Sequence, residues 1–179
     1  SGGAILHLSC SFQRFEDEAD VQTATMPLAP AADDMRGAGD NWPWIMERRS
    51  MRTHIGAGQS MGWVKLIDPL PDDPLVHVCG LAMTSDTFQF TSARSIHPLQ
   101  VPVEEHHERF MGASLDHSIW FHRPARADEW HLYHWDCHGL KGARGMTVGN
   151  LFAADEIGRA SWRVRVGLWG GGGGGGGGG

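Results

Sequence analysis

The stretch richest in reactive side chains is Ser114–Pro124, SLDHSIWFHRP, continued by ARADEW. It holds one carboxylate, two imidazoles, a guanidinium, two hydroxyls and two aromatic rings in eleven residues. That density is too high for an ordinary surface strand and too polar for an ordinary core strand. Carboxylate and imidazole are the groups that move protons near neutral pH, so the first question is which face each would occupy. Strict strand alternation sends Ser114, Asp116, Ser118, Trp120 and His122 to one side, and Leu115, His117, Ile119 and Phe121 to the other. If the apolar side meets a helix, His117 becomes a satisfied core histidine. Asp116 and His117 then point apart, which disfavours a dehydratase-like His/Asp pair in one cleft. Arg123-Pro124 ends the strand, because proline cannot continue a ladder.

A second carboxylate stands out upstream. Asp72 or Asp73 can cap a helix, Pro74 suits its first position, and both acids favour the positive end of the dipole. Leu75, Val78, Cys79, Ala82 and Met83 then fit one helical face. Extending that stripe by one turn reaches Asp86. A carboxylate on the buried side of a helix is costly unless hydrogen-bonded, and burial shifts its pKa. The plainer reading is that Asp86 ends the helix and binds nearby amides or solvent.

Other clusters are weaker. His131-x-x-His134-x-x-Cys137-His138 has the composition of a metal site, but a strand would split it between two faces, so no metal is expected there. Glu104–Glu108, EEHHE, lacks the helical HExxH spacing and reads as a solvated loop. No phosphate-binding P-loop occurs, and no Ser-His-Asp triad is evident.

The remaining positions must form what holds these groups. The chain has 179 residues, enough for one domain or one and a half. A formal charge of −6 argues against a nucleic-acid-coating protein. Three dispersed cysteines (Cys10, Cys79, Cys137) make no disulfide framework and fit a reducing compartment. No apolar run approaches the roughly 20 residues of a membrane span, so a soluble cytoplasmic protein is expected. Ile5–Phe12 and Thr23–Pro27 read as strand material with a turn near Glu16–Asp20. Residues 28–59 read as a linker with a short helix around Asn41–Arg52, anchored by Trp42 and Trp44. Gly62–Ile67 is a strand, then comes the helix closed by Phe88–Phe90, then a loop over Thr91–Gly112. Strands follow at Ala113–His122, Glu129–Cys137, Arg144–Phe152 and Ala160–Gly167. One helix and an antiparallel meander make an α+β plan. Residues 169–179, ending in an unbroken glycine run, are expected to be disordered.

These islands, taken in order, resemble the acyl-CoA thioesterase II family. The resemblance rests on Leu8–Phe12 with Thr25-Met-Pro, Leu70-Pro-Asp-Asp-Pro, Leu81-Ala-Met-Thr-Ser-Asp86, Ala113–Pro124 with Ala127-Asp-Glu-Trp, and Gly142-Ala-Arg-Gly, and spans roughly residues 5–161. It implies a double hotdog, each half an antiparallel sheet wrapped around a long helix. Residues 1–27 would be the last strand of a first hotdog and residues 60–168 a second. It further implies hydrolysis of acyl-CoA to fatty acid and CoA without metal or covalent cofactor. The unpaired sheet edge left by the missing half is expected to recruit another chain, so a homo-oligomer is the expected assembly.

By the same resemblance, the catalytic water would be held by Asp86, by Ser114 and by a glutamine on the last strand. That glutamine is missing: Val164 or Arg165 stands in its place. Glu156–Ser161, EIGRAS, resembles a translated adaptor end, which suggests that the C-terminus has been replaced after Phe152, as the N-terminus has been cut. The alternative implied is a catalytically inactive hotdog that binds acyl-CoA or a partner chain.

Overall fold

The computed structural model describes residues 7–14, 16–35, 45–51, 56–99, 101–102 and 105–170. A six-stranded antiparallel sheet forms from β1 (Met46–Met51), β2 (Gln59–Leu66), β3 (Phe110–Phe121), β4 (His131–Lys141), β5 (Arg144–Ala153) and β6 (Gly158–Gly170). Its order is β1-β2-β4-β5-β6-β3. The expected simple meander therefore holds only for β4, β5 and β6. β3 crosses to the far edge beside β6, and β4 returns to lie against β2. Between β2 and β3 run α1 (Pro74–Thr84), α2 (Gln89–Ser95) and the short α3 (His106–Arg109). The architecture is α+β, with the sheet curled around a helix as the resemblance implies.

Several expectations change in detail. The single helix is two, and the one embraced by the sheet is α2, which packs against β2, β4, β5 and β6. The supposed loop over Thr91–Gly112 thus contains most of α2 and all of α3. The N-cap of α1 forms as expected: Asp73 Oδ1 accepts from Leu75 N at 2.9 Å, with Pro74 in the first turn. Its buried face does not. His77, Gly80, Leu81 and Thr84 face inward, while Leu75 and Met83 are 61% and 46% exposed. α1 is apolar nearly all round, so periodicity could not choose a side. Close approach chose it instead, since a Cβ on Gly80 would lie 2.8 Å from that of Ala127.

Residues 46–51 are a strand rather than part of a helix, and β1 pairs with β2 from Met46↔Leu66 to Met51↔Met61. Upstream, Ala32–Met35 forms a 3-10 turn. Met26, Ala29, Ala32 and Met35 cover Met61, Trp63, Leu132 and Phe152 on the outer side of the sheet. The linker is therefore packed structure over much of its described length. Residues 7–14 and 16–27 carry no strand, so the expected hairpin is not formed there. Gln22 instead joins the β5–β6 turn, accepting from Gly158 N at 2.7 Å and donating to Glu156 O at 3.1 Å. Trp42, Trp44 and the glycine run from 171 onward lie outside the described residues. Trp169 and Gly170, assigned above to the tail, belong to β6.

The inner core explains part of the tryptophan excess. Trp135 and Trp162 are almost wholly buried, with ring centroids 5.4 Å apart, and Tyr133 lies 5.1 Å from Trp162. Gly149 makes room for them: a Cβ there would sit 2.0 Å from the Trp162 Nε1. The segment after Phe152 is thus built into the sheet, with Trp162, Val164, Val166 and Leu168 on its inner face. Among the described residues no helix is long and apolar enough to cross a membrane.

His131, 2% exposed, donates from Nδ1 to Glu129 O at 2.9 Å. Burial pushes its pKa down to about 4. The unfolded chain takes up that proton near pH 6.5, whereas the folded one refuses it until about 4. Stability should therefore be complete above pH ~6.5 and fall by up to about 3 kcal/mol as the pH drops towards 4. Denaturant unfolding across that range should show the fall, and His131→Phe should flatten it.

Candidate active site

Asp86 sits just beyond α1, not on its buried side. Ser85 closes the helix, its N–H bonding Leu81 O at 2.9 Å, and Asp86 follows as an exposed residue. What fixes this bend lies on both sides of it. Thr84 is buried and its Oγ1 is 2.6 Å from the Tyr133 hydroxyl. Because Thr84 donates backwards to the Gly80 and Leu81 carbonyls, Tyr133 is the donor between them. On the other side Phe88 adopts a left-handed backbone, φ 70°, and starts α2. That conformation costs a side-chain-bearing residue about 1–2 kcal/mol. It is held by the Ser60 hydroxyl, which donates to Phe88 O at 2.9 Å, and by the Phe88 ring over Gly62, where a Cβ would come within 2.7 Å of it. β2 thus sets the break that turns Asp86 outward.

Ser114 arrives from β3 by way of an irregularity. Strict alternation puts it on the same side as Asp116, away from the helices. The register shifts instead: Ser114 pairs with Val166, and Asp116 with Arg165, leaving Leu115 as the extra residue of a β-bulge. Val166 belongs to the inner face, so Ser114 turns inward together with His117, which pairs with the buried Val164. Asp116 stays on the outer face and bonds Arg165 at 2.6 Å. Ser118 and Trp120 follow it, as alternation requires. Only Ser114 changes sides.

The result is a direct contact. Ser114 Oγ donates to Asp86 Oδ1 at 2.7 Å. A third residue joins them: Gln89 Nε2 donates to the same oxygen at 2.5 Å and lies 3.4 Å from Ser114 Oγ. Gln89 is 1% exposed, and its buried Oε1 has no partner among the described residues. Both bonds fall on Oδ1, which leaves Oδ2 to accept from water. Bonds to a carboxylate are about twice as strong as neutral ones, so this arrangement holds Asp86 in one orientation. Sequence reading missed Gln89. The available signal was a polar amide between Phe88 and Phe90, one helical turn after the carboxylate.

His117 borders the same site as a half-buried residue rather than a core one. The Ser85 hydroxyl donates to Ala82 O at 2.6 Å, so His117 Nε2, 3.3 Å away, is the donor to Ser85 Oγ. Burial lowers the His117 pKa, while the Asp86 and Asp116 carboxylates pull it back up. The last strand contributes no amide, as Val164 is fully buried beneath His117 and Arg165 points to the outer face. Among the described residues no group of three or more histidine, cysteine or acidic side chains is arranged to hold a metal.

Comparison with known proteins places the chain as a whole. The acyl-CoA thioesterase family pattern matches residues 38–164, and so includes part of the segment after Phe152. The chain is 36% identical over 100 residues to human acyl-coenzyme A thioesterase 8, covering 55% of this chain and 30% of that protein. Acyl-CoA thioesterase 2 of Haemophilus influenzae is 32% identical over 102 residues, covering 54% and 32%. This chain therefore spans about a third of the length of these relatives. The structure of an acyl-CoA thioesterase II, TesB2, from Mycobacterium marinum superposes with a TM-score of 0.70 at 31% identity, over 87% of this chain and 60% of that one. A hot dog fold protein of Alicyclobacillus acidocaldarius, at 16% identity and a TM-score of 0.61, shares the fold. With its pattern matched over more than half its length, this chain belongs to the acyl-CoA thioesterase family.

Proposed function

We propose that this chain hydrolyses acyl-CoA thioesters with an activated water, through Asp86, Ser114 and Gln89. The observation that carries the reading is the convergence of Ser114 Oγ and Gln89 Nε2 on Asp86 Oδ1. With Oδ1 so engaged, Oδ2 accepts from a water and takes its proton as the water attacks the thioester carbonyl. Ser114 orients that water through its free lone pairs, and the buried Gln89 keeps the carboxylate from swinging away. The hydroxide equivalent adds to the carbonyl carbon, the tetrahedral species collapses with cleavage of the C–S bond, and the proton held by Asp86 passes to the departing sulfur, giving a carboxylic acid, the CoA thiol and the free Asp86 carboxylate. The amide lost from the last strand is supplied, in this reading, by α2. No metal or covalent cofactor enters the scheme. A cytoplasmic setting fits a substrate of this kind.

Release of CoA thiol from a medium-chain acyl-CoA tests the assignment. Asp86→Asn should lower kcat by about 10²–10⁴, the range for removing a general base. Ser114→Ala and Gln89→Leu should each cost about tenfold to a hundredfold, mainly in kcat, since they position rather than transfer. Equal turnover by the unaltered chain and Asp86→Asn would end the proposal.

His117 gives a second check, because it feels Asp86 directly. Its imidazole should titrate below its ordinary value, and Asp86→Asn should move the midpoint lower still by removing one attractive carboxylate. Side-chain NMR would follow both shifts. An unchanged midpoint in Asp86→Asn would place His117 outside the field of the site.

A second reading has its own observation. Asp86 and Ser114 are exposed, and β3 is a twelve-residue edge strand with Met111, Leu115, Trp120 and Phe121 uncovered to 39–70%. An open apolar edge of that kind recruits another sheet. We take the cover to be a second copy of this chain, pairing along β3 and closing the site to bulk water. If the isolated chain binds acyl-CoA saturably without releasing thiol, it is the inactive binding form. Sedimentation at micromolar concentration should show a dimer, and Trp120→Glu should return it to monomer; a monomer throughout would exclude the closed site.

A further inference from the structure

Arg94, in the last turn of α2, is half-buried and carries no hydrogen bond or ion pair among the described residues. Covering a cation without a counter-charge is costly. Arg49, Arg123, Arg126 and Arg159, also partly covered, each have a carboxylate partner. The Nε of Arg94 is closed off from solvent, but its two Nη groups keep solvent access. Burial lowers its pKa and no neighbouring carboxylate offsets that, yet a guanidinium stays charged at physiological pH.

Its place in the fold ties it to the candidate active site. The guanidinium carbon lies 5.7 Å from the centroid of the Phe90 ring. That ring lies against Gly112, where a Cβ would come within 2.6 Å of it. Gly112 and Ser114 share the inner face of β3, opposite Leu168 and Val166, and both are exposed. Two residues along a strand are about 7 Å apart. Phe90 also follows Gln89, whose amide holds Asp86. The path from Asp86 therefore runs over the Phe90 ring to Arg94, which stands on the order of 10 Å from the Ser114 hydroxyl.

That spacing selects the kind of anion. The phosphates of a CoA ester lie a whole pantetheine arm from its sulfur, too far for a cation this close to the reacting carbonyl. A carboxylate at the far end of a short acyl chain fits. Extended carbon–carbon bonds advance roughly 1.3 Å each, and about four to eight carbons cover the gap. We infer that Arg94 makes the site selective for acyl-CoAs whose short chain ends in a carboxylate, its Nη groups donating to that carboxylate while the methylenes lie on Phe90. The inference rests on the hydrolase reading only for where the thioester sits.

Adipyl-CoA and hexanoyl-CoA are matched probes, equal in chain length and differing in the terminal carboxylate. Thiol release by the full chain should show a higher kcat/KM for adipyl-CoA. Arg94→Met should lower the adipyl-to-hexanoyl ratio at least tenfold, the scale of a charge-assisted bond, and Arg94→Lys should keep part of the preference. A ratio between two substrates is insensitive to partial unfolding. Calorimetry on Asp86→Asn separates this inference from the hydrolase reading. If no chain releases thiol, tighter binding of adipyl-CoA that is lost on adding Arg94→Met still supports it. A ratio left where it was by Arg94→Met would overturn it, as would binding of neither ester. Equal loss on both substrates would assign Arg94 to the CoA phosphates and overturn it too.

Discussion

The hydrogen bond from Ser114 to Asp86 joins two elements that regular geometry would keep apart, and the candidate active site depends on it. Each partner reaches the other through a departure from ideal backbone. Asp86 leaves α1 because Phe88 is left-handed, at a cost of about 1–2 kcal/mol that its packing over Gly62 and the Ser60 bond must offset. Ser114 turns inward because Leu115 is inserted as a bulge against β6. Strain and bulges gather at functional sites for this reason: they aim side chains where a regular element cannot. Neither irregularity is isolated. The first is braced by β2, the second by β6, and both strands belong to the same sheet.

The sheet therefore does more than bury apolar surface. Its inner face holds Tyr133, Trp135, Trp162, Val164 and Val166 around α2, and the Tyr133 hydroxyl fastens the end of α1 one residue before the cap. Burial pushes that phenol's pKa well above its ordinary range. Gln89 is part of the same construction. It lies at the start of α2, fully buried, and carries the rigidity of the core to the carboxylate through one amide. A positioning group fixed by packing loses little entropy on substrate binding, which is the physical basis of preorganisation.

α1 packs on the body of the protein along one side. Its exposed side, with Leu75, Cys79 and Met83, is apolar, while its buried side carries His77 and Thr84, each hydrogen-bonded to the body of the protein. Charge plays a smaller part. The clearest ionic cluster, Arg126 with Asp72 and Asp128, lies at the α1 entrance, where the Arg126 guanidinium holds the Asp128 carboxyl at about 2 and Asp128 accepts from Leu70 N at 2.7 Å.

The sequence by itself determined the fold class, an acid-capped α1 beginning at Pro74, the strands β2 to β6 within a few residues, and the candidate pair Asp86 and Ser114. These are local or motif-borne features: turn residues, a capping acid, alternating strands, and short islands in a fixed order. Tertiary structure decided what local patterns leave open. Which side of α1 is buried was set by the close approach at Gly80, because an all-round apolar helix has no preferred side. The face of Ser114 was set by a bulge, which exists only in the pairing of two strands and leaves no mark on one of them. β1 was hidden because MERRSM alternates poorly and is a strand only by virtue of β2 beside it. Gln89 was hidden for the same reason: its role is defined by two oxygens, one of them on a strand twenty-five residues away.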